Sequence, residues 1–594
     1  MREKRSFYWI FIRLVCLLFV LVFFHQGSWG QKKWAIRYQV SPEDSTYRKD
    51  MKLPAVLADS ATSFLFFKDI ISRIHSRGHL TASVDSVVWK KDTLLVWLHI
   101  GKLFKWLQLQ PGNMEESVLR EIGFREKFYR SRRFRYSEVA ALEERILKYA
   151  EERGYPFATV RLDSVDLSQQ TVRAALDYQP GIRIVFDTLR ILGSARLKRK
   201  FLENWLRLVP GQPYSQSRMD QADALLRQQA YLVVNQPYEV LFKNDRAYLT
   251  FYADAGKASE ADGVIGFQPN EQEKGRLLLT GELNLKLRNL FNAGGNFSFS
   301  WQQIKRASPR LNISYAQPAF LGTPLEVNAL FQLLREDSAT SVRNGFLTLS
   351  QQANVFYNLS SFSKVGVGVE RRTSRLADST LRVSGEGLPL QTNTNWLAYR
   401  AYYSYNQLDD FFYPRRGWSF NASIAIGNKQ VPDNEQLKLL YSSIQASSPQ
   451  LAYQFMLRRY IPTGQKSTLL LQLAGAQILN NNLFQNDLFR LGGLTTLRGF
   501  NENFFFASAY GSSTLEYRFF WEATSYLFAF YDQAWIQTRI LKNVSYDVPS
   551  GLGAGLSFST KAGIFTVVYA LGNSRDRTLG LGFSKIHFGL VSRF

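Results

Sequence analysis

Across residues 261–594 the chain alternates apolar and polar side chains at period two, strand after strand. Leu277, Leu279, Leu283, Leu285 and Leu287 oppose Glu282, Asn284 and Lys286. Phe297, Phe299 and Trp301 oppose Ser298, Ser300 and Gln302. Leu515, Tyr517, Phe519 and Trp521 oppose Thr514, Glu516 and Arg518. Strands of this kind have one apolar and one polar face. In a soluble sandwich the apolar face is the core; in a membrane barrel it meets lipid and the polar face lines the lumen. The region carries no helical pattern, and aromatics gather near strand ends, as at Trp301, Tyr315, Phe320 and Trp521. Several strands also reach the roughly 9–11 residues that crossing a bilayer requires. These features predict an antiparallel transmembrane β-barrel of about sixteen strands, with loops at 371–400 and 428–450. Ile586, Phe588, Leu590 and Phe594 share one parity. A final strand of that kind is expected to pair with the first and remove both sheet edges.

Residues 1–30 read as a secretory signal peptide. Arg2, Lys4, Arg5 and Arg13 give a basic start, Leu14 to Phe24 is unbroken apolar sequence, and Ser28-Trp29-Gly30 offers a cleavage site. The apolar stretch is too short to span a bilayer, which takes about 20 residues. The single Cys16 lies inside it, so a disulfide scaffold is excluded for the mature chain and a lipid anchor at that Cys is disfavoured.

The composition changes at about residue 260: residues 31–260 hold 9 of the 39 Gly and 261–594 hold 28. Helical patterns occur only in the first part. One runs from Ser60 to Gly78, one from Ser137 to Gly154 and one from Ser215 to Ala230, each with a Ser at its N-cap and an apolar stripe at 3–4 spacing. Gly78, Gly154 and Ala230 recur at 76-residue intervals. Each is followed by a strand, a turn and a second strand. This predicts three strand–helix–helix–strand–strand modules over 31–100, 101–180 and 181–260.

The motifs of the second half resemble those of the outer-membrane insertase superfamily that includes BamA and TamA. Leu491-Gly492-Gly493 followed by Leu497-Arg498-Gly499-Phe500 is similar to that family's Arg-Gly-aromatic motif, at the tip of an extracellular loop folded into the barrel lumen. Leu515-Glu516-Tyr517-Arg518 and Phe530-Tyr531-Asp532 resemble the two strands whose carboxylates receive the Arg. Asp409-Asp410 with Pro414 and Gly417 is similar to the family's acidic–Pro–Gly hairpin, and Tyr315 to Leu325 to a strand–Pro–Gly turn. The repeated modules resemble polypeptide-transport-associated (POTRA) domains, three being the TamA-like number. Where the family strand reads Asp-x-Gly, this chain has Asp532-Gln533-Ala534. A guanidinium drawn into a lumen needs planar acceptors, so Arg498, Gly499, Phe500, Glu516 and Asp532 are expected to form a lumen latch.

The resemblance implies a protein of the cell outer membrane of a Gram-negative-type bacterium, with its modules in the periplasm. Its function would be to insert or export client proteins through a laterally opening barrel. The modules would capture extended clients by β-augmentation. The expected seam joins a first strand around Leu277–Leu287, including Leu283 and Leu285, to a last strand containing Phe588, Gly589 and Phe594. The expected partners are unfolded outer-membrane or exported proteins and outer-membrane lipid. An inner-membrane-anchored TamB-like partner or accessory lipoproteins are candidates too. A dedicated two-partner-type secretion pore and a soluble or receptor-like exported β protein are the alternative readings.

Other signals are weaker. The net charge of +24 divides into +3 over 1–30, +10 over 31–260 and +11 over 261–594, too even for one nucleic-acid footprint. Its two clusters, Arg130 to Arg135 and Arg196 to Lys200, read as solvated faces before lipid-headgroup contacts. His75 and His79 have metal-pair spacing, but Gly78 interrupts the helix between them and nothing completes the site, so no metal is expected. With no nucleophile-elbow, phosphate-loop or zincin motif, neither an enzyme nor a cofactor is expected.

Overall fold

The computed structural model describes residues 34–48, 51, 53–57, 63–91, 93–130, 132–269, 277–303, 308–336, 345–376, 391–432, 444–560, 563–580 and 584–593. The expected signal segment, the Ser60 cap and Phe594 lie outside them. The chain divides into two compact units, residues 1–183 with two modules and 184–594 with the third module and the barrel.

The three modules share one topology. In module 1 the strand Trp34–Gln39 runs parallel to Thr93–His99, and Ser83–Lys90 forms an antiparallel edge. In module 2 Trp106–Gln110 runs parallel to Thr171–Gln179, with Thr159–Ser168 at the edge. In module 3 Val185–Leu192 runs parallel to Arg246–Ala255, with Glu239–Lys243 at the edge. Two helices precede each hairpin, and the longer packs on the sheet through the apolar stripe read from sequence. In Tyr136–Glu151 that stripe is Val139, Leu142, Ile146 and Ala150, all buried. In Gln216–Arg227 it is Met219, Ala222 and Leu226. Ser215 caps the latter helix, its hydroxyl accepting from the Arg218 amide at 3.3 Å, an interaction worth about 1 kcal/mol. Ser137, expected to cap the middle helix, instead lies in its first turn. The N-cap there is Arg135, with no side-chain bond.

Among the described residues, seventeen strand segments from Glu260–Pro269 to Lys585–Arg593 close into one antiparallel barrel. Asn543–Asp547 and Ser550–Thr560 both pair with Ser525–Ile540, so they are two halves of one strand and the wall has sixteen. The break falls at Val548-Pro549, where proline supplies no ladder donor.

The direction of the apolar face separates barrel from sandwich. Val367 is 65% exposed, Tyr399 68% and Leu527 51%. Glu370, Glu516 and Asp532, on the opposite parity, are buried inside. An outer surface of this kind far exceeds the apolar patches of a soluble monomer and suits hydrocarbon. The predicted loops are shorter than expected: strands cover 371–376, 394–400, 428–430 and 447–450.

The boundary expected at 260/261 falls inside the first barrel strand. That strand is Glu260–Pro269, and Leu277–Leu290 is the second, so the seam expected at Leu277–Leu287 is misplaced by one strand. Leu283 and Leu285 pair with Gly263 and Ala261 on one side and with Trp301 and Phe299 on the other. The first strand reads EADGVIGFQP. Its two glycines and terminal proline thin out the apolar alternation that marks the other strands.

Candidate functional site, a loop docked in the barrel lumen

The strands Ala509–Glu522 and Ser525–Ile540 pair with Thr514 opposite Asp532 and Glu516 opposite Phe530. Period-two geometry therefore sets both carboxylates as near neighbours on the lumen face. The loop after Ser467–Leu479 turns inward, and a small hairpin, Phe489–Leu491 with Phe505–Ala507, presents Arg498 to them. Arg498 Nε donates to Asp532 Oδ2 at 2.8 Å and Nη2 donates to Oδ1 at 2.7 Å. Nη1 is ion-paired with Glu516, and the Arg498 backbone amide adds a bond to Asp532 Oδ2 at 3.1 Å. The guanidinium also lies over the Phe530 ring, 3.5 Å from its centroid. This combination of forked carboxylate bonds and an aromatic face is specific to Arg; a Lys ammonium has no such fork.

Neighbouring residues hold the acceptors. Thr514 Oγ1 donates to Asp532 at 2.9 Å, and Arg518 Nε donates to the second oxygen of Glu516 at 2.8 Å. Gly499 has φ +91°, and a Cβ there would stand 2.7 Å from the carbonyl atoms of Leu571. Phe500 is fully buried in a cluster with Leu491, Leu497, Phe505 and Ala534. The methyl group of Ala534 thus packs in the same cluster as the loop residues.

A second attachment of the loop carries no motif in the sequence. Lys429, wholly buried, is ion-paired with Asp487 and donates to the Asn482 carbonyl at 2.7 Å. Asp487 also accepts from the Phe484 amide at 2.9 Å. Arg490 is ion-paired with Glu336 on the far wall. The available signal is a Lys on the lumen parity of Gly417–Gln430, together with the amide-rich run Asn480 to Asp487. Neither is specific enough to predict a contact.

The Asp409-Asp410 pair lies in the tight turn after Thr394–Leu408. Asp410 Oδ1 accepts from the Phe412 and Tyr413 amides at 2.7 Å, and Asp409 Oδ1 from those of Arg415 and Arg416 at 2.9 and 3.0 Å. His75 and His79 each bond a backbone carbonyl, of Ala82 and Gly101.

At the seam the first strand meets the last at Glu260 with Arg593 and Ala261 with Ser592. These are the only pairs among the described residues. Its ladder with the second strand runs unbroken from Glu260–Lys286 to Pro269–Leu277. Phe588 and Gly589 lie in the last strand opposite Val567 and Thr566.

CdiB from Escherichia coli matches over 93% of this chain and 99% of its own, at TM-score 0.54 and 12% identity. The chain has the fold of that barrel. CdiB from Acinetobacter baumannii matches over 82% and 89%, at TM-score 0.53 and 14% identity. BamA from Haemophilus ducreyi lacking POTRA domains 1-3 aligns over 83% of this chain and 100% of its own, at TM-score 0.43 and 16% identity. No protein-family model and no curated protein sequence matches the chain.

Proposed function

We propose that this chain is an outer-membrane assembly or translocation factor of the insertase superfamily, which inserts or exports unfolded client proteins. Its modules capture extended clients and its barrel opens sideways between the first and last strands. The observation that supports this most is the short seam: among the described residues it has two residue pairs, where every other junction in the wall has a full ladder or one completed by a second strand segment. Unpaired strand edges template the pairing of another strand, so parting this seam offers a client its first partner at small cost.

The modules supply edges of the right kind. Ser83–Lys90 and Thr159–Ser168 each carry a bulge that discourages indiscriminate pairing. Glu239–Lys243 is unbulged, with Leu241 63% exposed.

The test is a disulfide across the seam. Ala261→Cys with Ser592→Cys places two thiols on directly paired residues, at a separation that suits a bridge. The only natural cysteine, Cys16, lies in the expected signal segment. Oxidation should stop client insertion and reduction should restore it. Unchanged insertion by the fully oxidised protein would sink lateral opening. Loss of one exported client alone, with general assembly intact, would favour a dedicated secretion pore.

A further inference from the structure

On the outer face of the wall one row of paired residues runs Phe455, Gly475, Gly511, Trp535 across four neighbouring strands. Nearer module 3, the strand that holds Gly511 presents Leu515, Tyr517, Phe519 and Trp521 on this face, all exposed. The Phe455 ring leans over Gly475, where a Cβ would stand 2.8 Å from it, but a Cβ at Gly511 would meet nothing within 4 Å. The result is a trough of about 370 Å³, floored by Gly511 and Ser513 and walled by Phe455, Leu473, Trp535 and Val548. Neighbouring strands lie about 4.8 Å apart, so a gap one strand wide has the width of a single hydrocarbon chain.

Cations stand at the head of this trough. Gln533, Trp535 and Arg539 share the outward parity of Ser525–Ile540, and Lys542 is exposed in the turn that follows. The step from Trp535 to Arg539, at about 3.4 Å per residue, covers about 10 Å of depth once a strand tilt of about 40° is taken out. One leaflet of hydrocarbon is about 15 Å deep, half of the ~30 Å core, so a single lipid reaches from the trough to the cations. Beside the trough the Trp535 and Tyr546 rings lie 6.0 Å apart, the residue types that mark a membrane–water interface. Lumen cations such as Lys429 and Arg498 are paired with carboxylates. Arg539 makes a long bond from Nε to the Leu541 carbonyl at 3.5 Å, and among the described residues neither it nor Lys542 has an ion pair. Asp547, the carboxylate nearest Lys542 along the chain, accepts from the Val548 and Arg575 amides. Module 3 is seated at the opposite end of the barrel, its Lys198 amide donating to the Asn292 carbonyl at 2.7 Å.

We propose that the trough and the two cations at its head hold one anionic lipid of the outer leaflet, an acyl chain lying over Gly511 against Trp535 and a headgroup phosphate accepting from Arg539 and Lys542. The inference rests on the outer-membrane placement above and adds a lipid site on a part of the wall that the seam does not touch.

The full-length protein in dodecyl maltoside tests it. It is titrated with lipid A carrying two phosphates, with the same lipid A stripped of phosphate and with phosphatidylethanolamine, and bound lipid is counted by native mass spectrometry. The phosphorylated lipid A should bind as one molecule and at least fivefold more tightly than either of the others. Gly511→Leu with Ser513→Leu fills the trough, since the first position has open space for a side chain, and should lower that affinity at least fivefold. Arg539→Gln with Lys542→Gln should lower it by a similar factor and leave binding of the phosphate-free lipid unchanged. Heat-modifiable gel mobility verifies that both double variants fold. Equal retention of all three lipids by the unaltered protein overturns the proposal, as does undiminished lipid A binding in either double variant. A detergent-stable dimer that the trough-filling variant separates overturns it too, making the trough a contact between two copies of this chain. Each of these outcomes spares the proposed function, which the seam disulfide tests separately. A full-length chain that stays monodisperse in buffer without amphiphile removes both.

Discussion

Arg498 and Asp532, 34 residues apart in the chain, are joined by a two-pronged bond of 2.8 and 2.7 Å, with the Phe530 ring against the guanidinium face. The bond ties a loop that leaves one barrel strand to the wall two strands further round. Because Arg498 and both carboxylates are buried, any move that parts them strands charge away from water. The buried pair therefore favours the docked position of the loop.

Arg498→Ala should leave the barrel assembled, as judged by heat-modifiable mobility, while the loop around 490–505 becomes protease-sensitive and client insertion falls. Removing one partner of a buried ion pair costs about 3–5 kcal/mol. Arg498→Lys should recover only part of the protection, since a point charge cannot satisfy the fork. Full insertion with a protected loop in Arg498→Ala would end the latch idea.

Gly499→Ala tests the same docking without altering charge. At φ +91°, and with the Leu571 carbonyl atoms 2.7 Å from where the new methyl carbon must sit, alanine is both strained and crowded. Its loop should be cut by protease at least as fast as that of Arg498→Ala. Retained protection would show that the local backbone can shift at little cost.

The Lys429–Asp487 pair should behave as a second, independent attachment. Lys429→Met alone should cost about 3–5 kcal/mol by leaving a buried carboxylate without its cation, whereas Lys429→Met with Asp487→Leu should recover most of the loss. Loop proteolysis in the full-length protein reads both. Equal damage from the single and double variants would mean the pair is not coupled.

In module 1, burial pushes the Asp44 carboxyl up, but the Ile100 and Gly101 amides, both at 2.9 Å, and His99 outweigh it and hold the group below the usual carboxylate range. A lowered folded-state pKa contributes stability above the unfolded value of about 3.9 and loses it as pH falls through the folded value. Hydrogen-exchange protection of the Ile100 and Gly101 amides should hold down to about pH 4 and fall only in stronger acid. Asp44→Asn should weaken that protection by about 1–3 kcal/mol at neutral pH. Protection that is insensitive to the substitution would show that the sheet alone holds these amides.

Much of the site is readable in one dimension because each part has a local cause. The parity of Thr514, Glu516 and Arg518 follows from strand period, and Gly499 follows from a backbone that turns beside Arg498. The module helices announce themselves through stripes such as Met219, Ala222 and Leu226. Ser137 misleads because a cap needs a backbone bend that its neighbours do not provide. The first strand escapes the pattern because Gly263 and Gly266 carry no side chain to mark a face.

The order of residues along the chain set the strand periodicity, the module repeat and the chemistry of Arg498, since these depend on neighbours a few residues away. Folding in three dimensions decided which way the apolar face points, where the seam falls, and that Lys429 meets Asp487. Those outcomes depend on barrel closure and strand register, which bring together positions tens to hundreds of residues apart, and no local pattern encodes such a pairing.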